Sequence, residues 1–219
     1  MHNFVIITSI LLSSCFISYS QSEMDNMYFL LGMMSQDDTR SDRPDDSMKL
    51  IHFFSDQKEV SKVFIERLSI LDEEMNFGYQ VHVDENGWTV INSKKWKNYF
   101  DSNFFCLKKD KDSWVEDRKG LEYPLYTARL KSSRIKTKPQ KYSFLLGVFI
   151  LKGHFNEDGN GVILGLGKNY RKGVISSLKE LNFKSIKNDK PKSPSGIYAN
   201  RLAFIPDTNF SKTVDKFLK

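Results

Sequence analysis

"YSFLLGVFILKGHF", residues 142–155, decides the architecture of this chain. It is apolar almost throughout, and the turn-forming "NEDGNG" (156–161) separates it from a second apolar run, "GVILGLG" (161–167). With "YPLYTARLK" (123–131) before it, three strand-like runs follow one another, which predicts a meander of antiparallel strands.

Toward the N-terminus, "VHVDENGWTV" (81–90) predicts a hairpin turning on Asn86-Gly87. A two-residue loop would pair Glu85 with Trp88, Val83 with Val90 and Val81 with Asn92. Tyr79, Val81, Val83, Trp88 and Val90 would then face a helix, with His82, Asp84, Thr89 and Ile91 on the other side. The polar cluster His82, Asp84 and Glu85 is therefore explained by the turn. Upstream, "KLIHFF" (49–54) predicts a strand, and Asp56 with Glu59 opens a helix whose apolar positions are Val60, Val63, Phe64, Leu68 and Leu71. Residues 93–120 mix aromatic and charged side chains and predict a short helix or irregular packing.

Beyond residue 167, "NYRKGVISSLKELNF" predicts a helix with Val174, Leu178 and Leu181 on one face. The strand "KSIKN", the loop "DKPKSPSG", the strand "IYANRLAFI" and a terminal helix follow. The expected fold is α+β, antiparallel sheets layered with helices, built from two ferredoxin-like β-α-β-β units at 48–120 and 121–219.

The first twenty residues lack Asp, Glu, Lys and Arg and carry "FVIITSILLSSCFIS" (4–18), the length of a secretory signal core. Ser18-Tyr19-Ser20 before Gln21 fits peptidase cleavage, so residues 1–20 are expected to be a signal peptide. "LSSC" offers Cys15 as an alternative lipidation site, and an uncleaved anchor is a third reading. Residues 21–47 hold seven acids against two bases, and "SQDDTRSDRPDDS" (35–47) has no apolar side chain, so an acidic flexible leader is expected there. With Cys15 set aside, Cys106 has no partner for an intramolecular disulfide. The destination is secreted or periplasmic, with an outer-membrane lipoprotein as the alternative.

The net charge of +6 leaves the remainder distinctly basic. The densest cationic stretch holds Arg129, Lys131, Arg134, Lys136, Lys138 and Lys141, either a surface for an anionic partner or solvated lysines protecting an edge strand. An exported protein would meet an acidic protein, an anionic lipid or a polysaccharide there, with membrane contact only through a lipid on Cys15. Nucleic acid is excluded by the export signal. A weaker anion site, Gly165, Gly167, Lys168 and Arg171, lies where a strand enters a helix, without a complete phosphate-loop pattern. Asn156, Asp158 and Asn160 imitate a calcium loop, but Gly167 stands where its bidentate Glu belongs, so a hairpin turn is expected. No catalytic, metal or cofactor set is legible. The expectation is a non-enzymatic envelope or exterior binding protein; the alternative is a secreted hydrolase assembled from His52, His154 and Asp158.

Residues 50–94 resemble the regulator of ribonuclease activity B family through Gly78-Tyr79-Gln80-Val81 and Asp84-Glu85-Asn86-Gly87-Trp88. The resemblance implies a ferredoxin-like fold and a non-catalytic binding role.

Overall fold

The computed structural model describes residues 24–36, 39–189 and 200–218. Helix α1 (Asn26–Met33) begins at Asp25, whose carboxylate accepts the Tyr28 amide at 3.3 Å. Phe29, Leu30, Leu31 and Met33 are wholly buried, and a 3₁₀ turn (Met34–Gln36) continues the path. The expectation of a flexible leader over 21–47 is thus corrected, because its acids flank an apolar run that supplies a core helix. Residues 39–47 of the acidic part are folded too. Strand β1 (Thr39–Ser41) and the short helix α2 (Pro44–Ser47) bring Asp46 to Ser41 Oγ (2.6 Å), Arg43 Nη2 (3.1 Å) and Lys49 Nζ (2.8 Å).

Strand β2 (Lys49–Phe53), helix α3 (Lys58–Met75), strands β3 (Gln80–Val83) and β4 (Thr89–Asn92) and helix α4 (Lys94–Phe104) follow. The sheet order is β2-β4-β3. Its hairpin is slipped by one residue from the expected register: Val81 pairs with Ile91, His82 with Val90 and Val83 with Thr89. Asp84 causes the slip, since its Oδ1 accepts the amides of Asn86 and Trp88, each at 2.9 Å, and closes a wider turn than Asn86-Gly87 alone. The slip moves β4 by one position against β3, so Ile91 in place of Val90 shares the face of Val81 and Val83. Ile91, on the central strand, is buried there, whereas Val81 and Val83, on the edge strand, stay exposed.

Strands β5 (Phe105–Glu116) and β6 (Glu122–Leu130) form a long hairpin with β1 on its far side, in the order β1-β6-β5. The expected boundary at 120/121 cuts this hairpin, so it divides no structural units. The next element overturns the meander. Residues 142–152 belong to helix α5 (Lys138–Lys152), capped by Thr137 and Gln140 in a reciprocal capping box with Pro139 in the first turn. Every residue from Ser143 to Leu151 is buried, so the helix has no polar face for a helical period to mark.

Strands β7 (Gly153–Phe155) and β8 (Gly161–Leu164), helix α6 (Lys168–Glu180), strands β9 (Lys184–Asp189) and β10 (Arg201–Ile205) and helix α7 (Thr208–Leu218) complete the fold. The sheet order is β7-β8-β10-β9. The fold is α+β with antiparallel sheets layered with helices. Each β-α-β-β run is preceded by a core helix and a short strand, and β2-β4-β3 corresponds to β8-β10-β9. The two units meet through α1 and α5, which carry the same tetrapeptide, Phe29-Leu30-Leu31-Gly32 and Phe144-Leu145-Leu146-Gly147. Asp25 N donates to Ser143 Oγ at 3.1 Å and Gly32 meets Gly147 further along, so the two helices run in the same direction.

Candidate nucleic-acid interface

Alternation along each strand determines what the sheets present. In β2-β4-β3, Ile51, Phe53 and Ile91 are buried against the helices, so His52, Val90 and His82, which are in register, point the other way. Gln80 and Asn92 share that outward face. His52 stacks on Trp88 at 5.2 Å between ring centres, and Phe54 meets both rings edge-on.

In β7-β8-β10-β9, Ile163, Leu202 and Phe204 face the core. Arg201, Leu164 and Asp189 form one outward row, Ala203, Val162, Lys187 and His154 the next, and Ile205 with Lys184 the last. In β1-β6-β5, Phe105, Ala128 and Leu130 are buried, which puts Cys106 opposite Arg129 and Lys108 opposite Thr127 on the outward side. Arg40 points inward instead, pairing with Asp101 at 3.0 Å beneath the sheet with its guanidinium over the Phe105 ring.

All three sheets therefore turn apolar faces to one core, and no helix among the described residues covers the opposite faces. The parallel course of α1 and α5 brings their C-terminal ends to the same side, where the chain passes toward β1 and β7. There Lys152 Nζ donates to Gly165 O at 3.2 Å.

The expected basic segment is dispersed by this geometry. Arg129 lies on the outward face of β6, a central strand, which excludes edge protection as the reason for it. Lys131 donates to Ser102 O at 2.8 Å, and Lys141 is paired with Glu180. Arg134 and Lys136 are exposed in the link before α5. Lys138 begins α5 and lines a cleft of about 1160 Å³ on the helical side, with Arg67, Tyr142, Asp207 and Lys216.

The expected anion loop is largely occupied by its own contacts. The Gly165 amide donates to Asn200 O at 3.1 Å, and Arg171 Nη2 reaches Leu166 O at 3.4 Å. Gly167 and Lys168 form a helix start without a side-chain cap. Asn156–Gly161 is a hairpin turn in which Asn156 Oδ1 accepts the Asn160 amide at 2.8 Å. His52, His154 and Asp158 stand on different elements, with His154 and Asp158 exposed and the His52 ring packed on Trp88. The signal peptide expected at 1–20 and Cys15 within it lie outside the described residues.

No family model and no curated protein matches the chain. Solved structures do. Mesophilic variants of the homing endonuclease I-DmoI are 15% identical, with a TM-score of 0.56 over 88% of this chain and 94% of theirs. I-DmoI in complex with DNA and Mn is 14% identical, with a TM-score of 0.54 over 89% of this chain and 96% of that one. A variant bound to its target DNA with Mg aligns at 14% identity and a TM-score of 0.55.

These likenesses overturn the expectation of an exported, non-enzymatic binding protein and of a chain to which nucleic acid is foreign. The fold is one on which an endonuclease carries its target DNA, and the exclusion of nucleic acid rested on the leader alone. The repeated Phe-Leu-Leu-Gly tetrapeptide was the available sequence signal, and the strand reading of residues 142–155 concealed it. The chain shares the α+β fold of the LAGLIDADG homing endonuclease I-DmoI.

Proposed function

We propose that this protein is a DNA-binding nuclease that seats duplex DNA across the outward faces of its sheets. One observation carries the reading: faces left uncovered by any described helix hold Lys108, Arg129, Lys184, Lys187 and Arg201, the last opposite Asp189. Cations spaced along extended strands match phosphates spaced along a groove, and neutralising them releases counterions. A two-stranded ribbon is also narrow enough to enter the major groove.

The reading is supported by the fold shared with I-DmoI, whose structures hold target DNA. Backbone scission would take place between the β2-β4-β3 and β7-β8-β10-β9 sheets, beside the C-terminal ends of α1 and α5, where the Lys152 ammonium would offset phosphate charge. Mn and Mg accompany the DNA in those I-DmoI structures. Among the described residues no three His, Cys, Asp or Glu side chains gather, so these residues assign no metal site.

The test is a gel-shift titration of the full chain with duplex DNA at several salt concentrations, followed by incubation of plasmid with Mg²⁺ or Mn²⁺. Retarded duplex with a steep salt dependence, and nicked or linear plasmid, are expected. Binding that is absent at low salt would overturn the proposal, and binding without scission would reduce it to a DNA-binding protein.

A further inference from the structure

The cleft on the helical side has a chemistry of its own. Helices α3 and α7 wall it, and α5 with Met24 and Leu181 forms its floor. On α7 the residues that reach it, Asn209, Lys212, Thr213, Lys216 and Phe217, recur at helical spacing along one stripe, whereas Phe210 and Val214 are buried in the core. Helix α7 thus serves two surfaces, and the one toward the cleft carries charge.

The floor is apolar. Leu146 is wholly buried, and Met24, Val63, Tyr142, Leu181 and Phe217 pack on the core while keeping part of their surface open. Around them stand four cations, Arg67, Lys138, Lys212 and Lys216, and two acids, Glu66 and Asp207. Both acids are engaged: Glu66 pairs with Arg67 at 3.2 Å, and Asp207 accepts the Phe210 amide at 2.7 Å as α7 begins. The Arg67 guanidinium is further fixed 5.3 Å from the centre of the Phe217 ring. Lys138, Lys212 and Lys216 are exposed, and none of them meets an acid among the described residues.

We propose that this cleft docks an acidic amphipathic helix of a partner protein, with apolar side chains on Tyr142, Leu146 and Leu181 and carboxylates on Lys138, Lys212 and Lys216. A groove takes a helix through an apolar floor, and charges at its rim select the sign of the partner. The size agrees, since the cleft holds about 1160 Å³ and ten residues of helix, about 15 Å long and about 10 Å across, fill about 1200 Å³. Lys212 and Lys216, one turn apart, match carboxylates one turn apart on the incoming helix. Residues 1–20, which precede Met24, contain no Asp or Glu and so offer these lysines no counterion. The proposal does not depend on the DNA-binding reading, whose cations lie on the sheets.

The experiment is a fluorescence-anisotropy titration of the full chain into a labelled amphipathic peptide, Leu on one face and Glu on the other, beside a second peptide with Lys in place of each Glu. The acidic peptide should bind, more weakly as salt rises, and the basic one should not. Lys212→Glu/Lys216→Glu should weaken binding roughly tenfold, as attraction at two rim positions becomes repulsion, with Tm unchanged. Lys138→Glu, on another helix, should weaken it as well. The double variant should retain duplex DNA as the wild type does. Equal binding of both peptides, no binding of the acidic one, or an affinity untouched by the double variant overturns the proposal. A double variant that loses duplex DNA assigns the cleft to nucleic acid instead, and a concentration-dependent dimer that the double variant abolishes assigns it to a second copy of the chain. A wild type that retains no duplex at low salt removes the DNA-binding reading alone.

Discussion

Gly32 of α1 and Gly147 of α5 face each other where the two helices cross. A Cβ on Gly32 would stand 2.1 Å from Phe144 O, and one on Gly147 would stand 2.0 Å from Phe29 O. Each glycine thus admits the backbone of the other helix, and each obstructing carbonyl lies three residues before the opposite glycine. The contact joins the two units that hold the sheets, so the spacing of the DNA-facing surfaces depends on it.

Gly147→Ala should therefore separate the helices, at a cost of about 3 kcal/mol or more, since an added methyl in a packed interior must displace backbone. Denaturant unfolding with two spectroscopic probes measures this. A loss under about 1 kcal/mol would mean that the helices can part without harm.

Asp72 ties α3 to α4: its Oδ1 accepts Trp96 Nε1 at 2.7 Å and the amides of Phe77 (3.2 Å) and Gly78 (3.0 Å). Asn76, at φ 50°, and Gly78, at φ 73°, turn the chain back so that these donors converge. Trp96→Phe removes one donor and should cost about 2 kcal/mol, whereas Asp72→Ala strands three donors and should cost more, about 3 kcal/mol. Equal losses in thermal melts would show that the ring's packing, and not the carboxylate, is what matters.

Asp46 predicts an acid-dependent component of stability. Burial raises its pKa, but hydrogen bonds from Lys49, Ser41 and Arg43 outweigh burial and lower it from 3.8 to about 2. The folded value lies below the unfolded one, so this stabilisation is present above the unfolded value and is lost as pH falls from 3.8 toward about 2. After allowance for solvent screening it amounts to about 1 kcal/mol. The Tm difference between wild type and Asp46→Asn should shrink over that window. A constant difference would show that Asp46 keeps no depressed pKa.

Arg129→Ser and Lys108→Ser should each weaken duplex binding and lower the slope of log K against log salt by about 0.9, with Tm unchanged. Arg134, Lys136 and Lys138 follow Arg129 closely in sequence but lie in the link before α5 or on the helical side. The triple serine variant of these should bind as wild type does. A loss in the triple variant equal to that from Arg129→Ser would return the contact surface to the linear basic segment.

The sequence by itself determined the elements whose signals are local. Val60, Val63, Phe64 and Leu68 mark α3, Val174 and Leu178 mark α6, and turn residues separate β3 from β4 and β7 from β8, because two-sided periodicity and turn chemistry act within a few residues. The cap expected from Asp56 and Glu59 is absent, since a 3₁₀ turn over Ser55–Gln57 leads into α3 without a side-chain cap. Tertiary structure decided the rest. Residues 143–151 read as a strand because a helix buried on every side has no polar face, and only its neighbours show which backbone it adopts. Residues 26–33 were concealed by flanking acids that meet partners brought close on folding, as Asp42 meets the Tyr126 hydroxyl at 2.8 Å. The candidate interface was the least legible part. Arg129, Lys187 and Arg201 come from strands far apart in the chain, and which way each points depends on register, which one carboxylate at Asp84 was enough to shift in β3-β4.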